Sequence, residues 1–530
     1  MSKPLPSRLL PIVLTALMFA STTFAIGVTN FSPTAEDFPS AEGTILNEAQ
    51  SDALERVVGR SSITNWVRSV GPDTSASNGP GSYNSVHIES MVPDHSGQNI
   101  IVVGTLRGDV TFDSIDPPAQ DGPRAFVGKL SNFGSWSWVS MATVPHGGAG
   151  GSFGSDLAVT STGDIWVVGS FWDEIEWGSH IELSDGSKDG FVAKMDSSGG
   201  WKWGLTMGGT SNVDSMHGVA VDSNGDGYIV GSFHDHTYFG VDSYNILNGQ
   251  DGFVTKVFSN GSYDWVEVIG GNQPDNATAI TVDSNDRVFL TGYYRGDVSL
   301  GTFNLENTGY DSTFVAEIDG QGNWLWGNEA KATLGQAIPF DIEVNPEGVY
   351  LGGAVQGRIE LDGVTWWSNG TVANAYVALL DHNGTWLWSL NSSGHTQVVR
   401  DIAINPLGGV AAVGWFDMDH QYIANAYFSN HTVTEAPFGA FFAGVSPTGQ
   451  WLWAESGGGM LTDVATSAAF TTIGNLIMAG RYCVGHDGSG CAAQIGTANY
   501  SSDSYMHGSG FVWSLNTDSD IDSIMDLNDN

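Results

Sequence analysis

The chain has 530 residues, of which 41% are hydrophobic and 70 are glycine, so it can bury a large core and form many turns. Asp and Glu total 58 against 18 Lys and Arg, which gives a formal net charge of −40. A charge of this sign repels phosphate backbones and anionic lipid headgroups, and the composition therefore excludes a typical nucleic-acid-binding protein.

Residues 1–25 have the three regions of a secretory signal peptide. Two basic residues precede an apolar run over residues 9–20, and small or polar residues follow as far as Ala25. We expect cleavage after Ala25, a linker over residues 26–60, and a mature protein that is secreted or held at the cell surface. A retained membrane anchor is the alternative, although hydroxyl side chains dilute the segment. No other stretch reaches the roughly 20 apolar residues of a membrane span.

A short motif recurs along most of the chain. Its copies read DGFVAKMDSSGGWKWG, DGFVTKVFSNGSYDWV, STFVAEIDGQGNWLWG and AYVALLDHNGTWLWS, beginning at Asp189, Asp251, Ser312 and Ala375. Each copy predicts a strand, a turn and a Trp-rich strand, and the segment before it predicts two more strands. The glycine that closes the second strand recurs at spacings of 65, 62, 61, 61, 61 and 66, at Gly104, Gly169, Gly231, Gly292, Gly353, Gly414 and Gly480. The spacing predicts seven four-stranded units.

Radial stacking of such units predicts an all-β fold, a seven-bladed β-propeller over residues 61–516. The last unit ends after its third strand, GSGFVWSLN, whereas residues 63–71 read ITNWVRSVG and are similar to the fourth strands of other units. We therefore predict that this N-terminal strand completes the last blade and removes its exposed edge. A propeller closed in this way is expected to be a monomer.

The order of the motifs resembles the SBBP family of β-propeller repeats. The matching elements are Asp-Gly-Phe-Val-Ala-Lys, Gly-Trp-x-Trp, Gly-Gly, Ala-Val-Asp-Ser-x-Gly and a second strand ending Val-Gly-Ser-Phe, and they cover about residues 61 to 516. The resemblance implies a propeller fold and frequent export, and it implies no reaction. The Gly-x-x-x-Trp turns are also similar to those of pyrroloquinoline-quinone propellers, which would imply an enzyme.

Tryptophan pairs mark the fourth strands, as in Trp201 with Trp203 and Trp324 with Trp326. Their two-residue spacing predicts that each pair shares one face of the sheet. We expect these rings to fill the widening outer gap between blades, since a Trp buries on the order of 200 Å². An aromatic platform for a ligand is the alternative.

The connections after the second and fourth strands are long and irregular in sequence, and we expect them on one rim. Long loops on a rigid scaffold are where recognition is usually found. Aromatic, carboxylate and His side chains in these connections suit a glycan, a peptide or a bridging metal. The candidate ligand-binding residues are Trp172, Asp173, Glu174, His234, His236, Tyr294, Asp417, Asp419 and His420. For each of them, a solvated loop with its ring packed on the blade is the alternative.

Two features lie near the C-terminus. Cys483 and Cys491 are the only cysteines, and in an exported chain we expect them to form a disulfide; two independent buried thiols are the alternative.

The acidic tail, residues 517–530, has a carboxylate spacing that resembles a thrombospondin type 3 repeat, at Asp518, Asp520, Asp522, Asp526 and Asp529. Ile521 and Ser523 stand where glycines normally follow in that repeat. Clustered carboxylates prefer a hard cation, so Ca²⁺ is the one cofactor that we expect. A disordered acidic tail is the alternative.

Together these features predict an exported or cell-surface scaffold that binds a glycan or a protein and has no catalytic activity. The alternative is an extracellular propeller enzyme, such as a quinone-dependent dehydrogenase or a polysaccharide lyase or hydrolase, with an active site assembled from several blades. Carboxylates, His or Arg converging at the centre of the ring would favour the enzyme. A channel lined by small and apolar residues would favour the scaffold.

Overall fold

Strands dominate the structure, which is a computed structural model of the chain. It describes residues 63–72, 84–145, 150–210, 213–307, 309–361, 363–368, 372–406, 408–417, 424–435, 438–459, 462–472, 474–484, 491–495, 498–502 and 509–516. This part of the chain is all-β, as predicted, and contains no α-helix. It accordingly holds no helix long and apolar enough to cross a membrane. The predicted signal peptide, linker and acidic tail lie outside the described residues.

Most strands belong to units of four antiparallel strands, which we number in the order that the sequence predicts. Unit 1 contains β2 (Ser85–Pro93), β3 (Asn99–Gly108), β4 (Val110–Thr111), β5 (Gln120–Ser131) and β6 (Trp136–Met141). Unit 2 contains β7 (Gly151–Val159), β8 (Ile165–Trp172), β9 (Glu174–Trp177), β10 (His180–Leu183), β11 (Asp189–Met195) and β12 (Trp201–Gly208). Unit 3 contains β13 (Ser215–Val221), β14 (Gly227–Phe239), β15 (Asp242–Phe258) and β16 (Ser262–Ile269).

The following units repeat this order. Unit 4 contains β17 (Asp275–Val282), β18 (Val288–Tyr294), β19 (Val298–Leu300), β20 (Phe303–Leu305), β21 (Ser312–Ile318) and the first part of β22 (Trp324–Asn345). Unit 5 contains the rest of β22, β23 (Gly348–Leu361), β24 (Val364–Trp367), β25 (Asn374–Leu380) and β26 (Trp386–Asn391), and β27 (Ser393–Gly394) follows it. Unit 6 contains β28 (Thr396–Ile404), β29 (Val410–Asp417), β30 (Ala424–Phe428), β31 (His431–Glu435), β32 (Phe438–Val445) and β33 (Trp451–Gly459).

The last unit takes strands from both ends of the described chain. It contains β34 (Thr462–Phe470), β35 (Leu476–Val484), β36 (Cys491–Ile495), β37 (Ala498–Ser502) and β38 (Ser509–Asn516), and its fourth strand is β1 (Ile63–Pro72). The pairing of β1 with β38 is antiparallel and runs from Ile63 opposite Asn516 to Val70 opposite Gly510. The strand order in this sheet is β34-β35-β38-β1-β4. The edge of β38 is therefore covered by the N-terminal strand.

Hairpins between the second and third strands tie units to the one before. In five units a strand of the hairpin pairs with the end of the fourth strand of the preceding unit, or with β27 just after that strand. The pairs are β4 with β1, β14 with β12, β23 with β22, β30 with β27 and β36 with β33. The sequence predicted irregular loops here, and this prediction is wrong. Alternation of buried and partly exposed side chains, as in Glu-Ile-Glu-Trp of β9, is typical of strands.

Apolar side chains form separate clusters, each between two consecutive units. Val103 of unit 1 and Phe191 of unit 2 belong to one such cluster. Ile88 of unit 1 and Ile477 of unit 7 belong to another, which joins the last unit to the first. Equivalent clusters join the other consecutive pairs. Because both faces of a unit are covered, third strands such as β11 are buried at every residue.

The two tryptophans of a fourth strand pack on opposite faces. Trp201 lies in the cluster between units 1 and 2, and Trp203 in the cluster between units 2 and 3. The prediction that such a pair shares one face is wrong. A β-bulge at Lys202 places Trp203 opposite Lys194 and Trp201 opposite Met195, which shifts the alternation by one residue.

The second tryptophan of a pair contacts a turn of the next unit. The indole N–H of Trp203 donates to the carbonyl oxygen of Ser259 at 3.2 Å. The ring lies against Gly261, which has a φ of 84° and whose Cβ position would be 2.9 Å from the indole. Equivalent bonds and contacts are made by Trp265, Trp326 and Trp388. The tryptophans therefore recur because each unit contacts the next one through them.

A β-bulge also interrupts the first strand of each unit at an equivalent position. The bulged residues are Glu89, Ser155, His217, Thr278, Phe340, Arg400 and Thr466. The glycine that closes the second strand lies against the bulge: a Cβ at Gly169 would meet the oxygen of Phe153 at 2.0 Å, and one at Gly480 the oxygen of Val464 at 2.0 Å. The repeated glycine therefore marks where the bulged strand approaches its partner too closely for any side chain.

Deletion of residues 61–71 is expected to abolish cooperative unfolding or to cause aggregation, because it exposes the edge of β38 and the apolar surface that β1 covers. Thermal unfolding followed by circular dichroism, with light scattering, measures both. A chain that lacks only residues 26–60 is the control. An unchanged melting curve for the chain without residues 61–71 would show that β1 is dispensable.

Replacement of Trp203 by Ala is expected to destabilise the protein by about 3 kcal/mol, because it empties part of the interface between units 2 and 3. Urea denaturation gives the free energy of unfolding. Lys202→Ala, which changes the neighbouring exposed residue, is the control and is expected to have a small effect. Equal losses in both variants would contradict the interface role of Trp203.

Candidate functional site

The hairpins and the connections between units lie at one rim, which we call the hairpin rim. Most exposed large apolar side chains of the described residues lie on it or beside it, at Phe153, Ile181, Leu183, Val213, Tyr238, Val241, Tyr310, Leu334, Val364, Trp367 and Tyr427. Of the others, Phe133 and Phe258 lie at the opposite turns, and Leu325 and Leu387 on fourth strands. The hairpin rim is thus the surface of the described residues where apolar exposure concentrates.

Phe153, Trp172 and Lys188 form a contiguous group at this rim, which we call the Trp172 patch. The ring centroids of Phe153 and Trp172 are 5.5 Å apart with an interplanar angle of 40°. The ammonium of Lys188 lies 5.2 Å from the centroid of Phe153. Gly151 pairs with Trp172 across β7 and β8, and its Cβ position would be 2.2 Å from the indole. The ring therefore rests on bare backbone, which fixes its orientation.

His234 borders the Trp172 patch through the main chain. Its Nδ1 lies 2.7 Å from the carbonyl oxygen of Val213, and Val213 forms a parallel bridge with Lys188. The backbone N–H of His234 donates to Asp214 Oδ1 at 2.8 Å. Two predicted residues, Trp172 and His234, are thus brought to one region of the rim.

His236 lies further along the hairpin of unit 3. Its Nδ1 is 2.7 Å from Asn245 Oδ1, and its ring meets Tyr238 edge-on at 4.7 Å. Asp235, between the two histidines, has a φ of 52° and redirects the chain. The contacts of His236 are therefore those of a side chain packed on its own hairpin.

Asp173 and Glu174 shape the hairpin that follows Trp172. Asp173 has a φ of 60°, and its backbone N–H donates to Ser184 Oγ at 2.9 Å. Glu174 begins β9 and pairs with Leu183. Both predicted residues thus stand beside the patch and direct the chain away from it.

Tyr294 was predicted to be a ligand-binding residue, and its position in the structure differs from that prediction. Its side chain is fully buried in the cluster between units 3 and 4, and its hydroxyl donates to Glu329. Along β18 the burial alternates at the end of the strand, so that Tyr293 is partly exposed while Tyr294 points inward. The prediction that Tyr294 faces a ligand is wrong.

Several predicted residues lie wholly or partly outside the described part of the chain. Asp417 ends β29, where its backbone pairs with Thr396 and Phe438, and its side chain is not described. Cys483 and Cys491 are described by backbone only, in β35 and β36, so their disulfide stays a prediction. The residues wholly outside are Asp419, His420, Asp518, Asp520, Asp522, Asp526 and Asp529.

Carboxylates beside the bulges connect the first strands at the centre of the array. Three of them accept a backbone N–H from the next unit: Asp156 from Val219 at 2.9 Å, Asp341 from Ile402 at 2.9 Å and Asp401 from Ala468 at 2.7 Å. Ser467 continues the series, because its hydroxyl oxygen accepts the N–H of Met91 in unit 1 at 3.0 Å. A bulge leaves a main-chain group without its ladder partner, and these side chains replace it.

The central carboxyl groups have raised pKa values. Burial raises the pKa of Asp156 to about 6. Burial and the negative charge of Asp341 hold the pKa of Asp401 well above its usual range, and the two side chains share a hydrogen bond. Burial and the negative charges of Asp341 and Asp156 likewise raise the pKa of Glu343. Among the described residues, no three His, Cys, Asp or Glu side chains are grouped so that they could hold a metal.

A second set of buried carboxylates lies where third and first strands begin at the hairpin rim. Burial raises the pKa of Asp189 to about 6 and that of Asp214, Asp251 and Asp275 to about 7. Asp275 accepts the backbone N–H of Arg295 at 3.1 Å. Sequence reasoning did not single out these residues, although Asp189 and Asp251 begin copies of the repeated motif. A motif shows only that a residue recurs. The burial that raises its pKa depends on the neighbouring unit, which the motif does not describe.

No protein-family model matches the chain. It is 21% identical over 473 residues to the uncharacterised WD repeat-containing protein L264 of Acanthamoeba polyphaga mimivirus, which covers 74% of this chain and 34% of that protein. It is 25% identical over 268 residues to the regulatory protein FlaEY of Caulobacter vibrioides, which covers 48% of this chain and 28% of that protein. The chain thus spans about a third of the length of these relatives.

Similar solved structures include the WD40 domain of Pan2 from Neurospora crassa, with a TM-score of 0.40 and 9% identity, covering 86% of this chain and 96% of that one. A protein of unknown function from Bacteroides caccae has a TM-score of 0.33 and 9% identity, covering 62% and 94% respectively. The repeated four-stranded units and the WD-repeat relative together support a fold of the β-propeller type. The resemblance to SBBP repeats stays a prediction.

Stability is expected to fall as the pH rises from 5 to 8. The folded-state pKa values of Asp156 and Asp251 are raised to about 6 and about 7, so the folded state binds protons more tightly than the unfolded state. Their contribution is complete below the unfolded pKa of about 4 and is lost as the pH passes through the folded values. Urea denaturation across this pH range measures the slope.

The variant Asp251→Asn tests the source of this slope, because it removes one titrating group while the net charge changes by only one unit. It is expected to unfold with a shallower pH dependence than the unchanged protein. Asp242→Asn, which changes an exposed residue at the start of β15, is the matched control. Stability that rises with pH, or equal slopes in all three proteins, would contradict the assignment.

Proposed function

We propose that the chain is a seven-bladed β-propeller, closed by an N-terminal strand in its last blade, that works as a non-catalytic binding scaffold outside the cell or on its surface. The units described above would be its blades. The packing of unit 1 on unit 7, and the hydrogen bond from Met91 to Ser467, support closure. The signal-peptide pattern of residues 1–25 supports export.

The observation that carries the binding role is the concentration of exposed apolar and aromatic side chains on the hairpin rim. Trp367 is 63% exposed, Leu183 67% and Val241 97%. Exposed apolar surface rimmed by polar residues commonly marks an interaction site. Trp367 and Leu183 lie on strands of hairpins and Val241 lies at the tip of one, so each is presented to a partner. A glycan or a protein fits such a surface.

Catalysis at the centre of the ring is the second candidate. Asp156, Asp341, Asp401 and Arg400 lie on the first strands, and charged side chains that converge at the centre are expected of a propeller enzyme. The three carboxylates, however, each accept a backbone N–H of the next unit. This bonding explains their presence without a substrate and leaves the scaffold as the better proposal.

The rim assignment is tested with a triple variant, Trp172→Ala, His234→Ala and His236→Ala, probed on a printed glycan array and on a peptide array. Loss of the wild-type binding with a nearly unchanged melting temperature is expected, because these side chains lie at the surface or on a hairpin. Phe133→Ala with Phe258→Ala, at the opposite turns, is the matched control. Binding retained by the triple variant and lost by the control would place recognition on the opposite rim.

A further inference from the structure

We infer that the Trp172 patch binds a carboxylated glycan, with Trp172 stacked on a sugar ring and the Lys188 ammonium paired with the sugar carboxylate. This inference rests on the proposed binding function and names the class of ligand. Sugar rings present flat C–H faces that stack on aromatic rings, and a carboxylate pairs with an ammonium through charge-assisted hydrogen bonds. Phe153 lies between the two groups and holds them at a fixed spacing.

Lys188 differs from most other described lysines in its pairing. Lys194 and Lys202 pair with Asp164, and Lys256 pairs with Asp222. Among the described residues no carboxylate lies within ion-pair distance of Lys188, and its ammonium is held over the ring of Phe153. Burial alone lowers its pKa, with no neighbouring carboxylate that raises it. In a chain with a net charge of −40, this ammonium is available to an external anion.

The aromatic part of the patch is rigid. Phe153 pairs with Ser170 and Trp172 pairs with Gly151 in the same ladder, so both rings project from one strand pair. Phe153 is 38% exposed and Trp172 is partly exposed, so each has a face in solvent. Rings placed in this way need no reorganisation when a sugar stacks on them.

The shape of the surface favours a glycan over a peptide. Peptide recognition relies on side-chain anchors that enter pockets. The Trp172 patch offers the exposed area of two rings beside one cation, which matches a negatively charged sugar.

Titration calorimetry with oligogalacturonate, oligoglucuronate and oligomannuronate, each compared with its carboxyl-reduced neutral form, tests the inference on the full chain. The wild type is expected to bind at least one acidic oligomer, and more weakly as salt rises. Lys188→Met is expected to weaken that binding by about tenfold or more, the effect of losing a hydrogen bond to a charged group. Trp172→Ala is expected to weaken it as well.

Lys202→Met is the matched control, since it removes a partly exposed lysine paired with Asp164, away from the patch. Melting temperatures of all variants identify loss of folding. Equal binding of acidic and neutral oligomers, an unchanged affinity of Lys188→Met, or no binding to any oligouronate would overturn the inference. Equal binding of acidic and neutral oligomers, or an unchanged affinity of Lys188→Met, would overturn the inference but leave a glycan-binding rim in place. If no oligouronate binds, the array experiment above still tests the rim by itself.

Discussion

The contact between consecutive units carries this fold, because a four-stranded sheet with two apolar faces can bury neither of them alone. β11 is buried along its whole length, with one face against unit 1 and the other against unit 3. The fourth strand serves both neighbours through its bulge, which turns Trp201 to one side and Trp203 to the other. A unit removed from the array would expose both faces, so the stability of each unit depends on both neighbours.

The bulges of the first strands add a polar component to the same contact. Asp156, Asp341 and Asp401 each meet an N–H of the following unit. At the equivalent position units 3 and 4 have Gly218 and Ala279, which offer no acceptor, and the contact between these units is made by His217, whose Nδ1 lies 3.0 Å from the oxygen of Ala277. The side chains at the centre therefore differ between units, although the same contact between units has to be made. This variation follows from the contact between units and is no evidence for a catalytic site.

The sequence predicts the features that recur in every unit and that have a cause within the unit itself. The glycine series from Gly104 to Gly480 marks the second strands, and its physical reason is the carbonyl that approaches each glycine. The bulge that brings that carbonyl there was not predicted, because it has no fixed residue type and is occupied by Glu89, Ser155 or Arg400 in different units. The hairpins were missed because their strands are short, and because the pairing that joins several of them to the preceding unit is with a segment distant in the chain.

Site prediction failed where burial decided the outcome. Tyr294 and Trp172 both end second strands, but Tyr294 lies two residues after Gly292 and Trp172 three residues after Gly169, and aromatic character alone did not separate them. Tyr294 points inward toward Glu329, whereas Trp172 lies across the bare backbone of Gly151 and keeps a face in solvent. The direction of a side chain in the last residues of a strand depends on register, and register here is set by pairing with distant segments.

If the proposed function holds, the hairpins combine stability and recognition in one element. In β9 and β10, Ile175 and Trp177 are buried against the unit, while Ile181 and Leu183 are exposed. The period of two assigns one set of positions to packing and the other to solvent. Substitution at the exposed positions can change the surface of the rim without disturbing the interface below it, and the buried positions hold the exposed ones in place. An array of such hairpins, together with groups such as Trp172 and Phe153, can therefore vary its exposed side chains while the contacts between units stay the same.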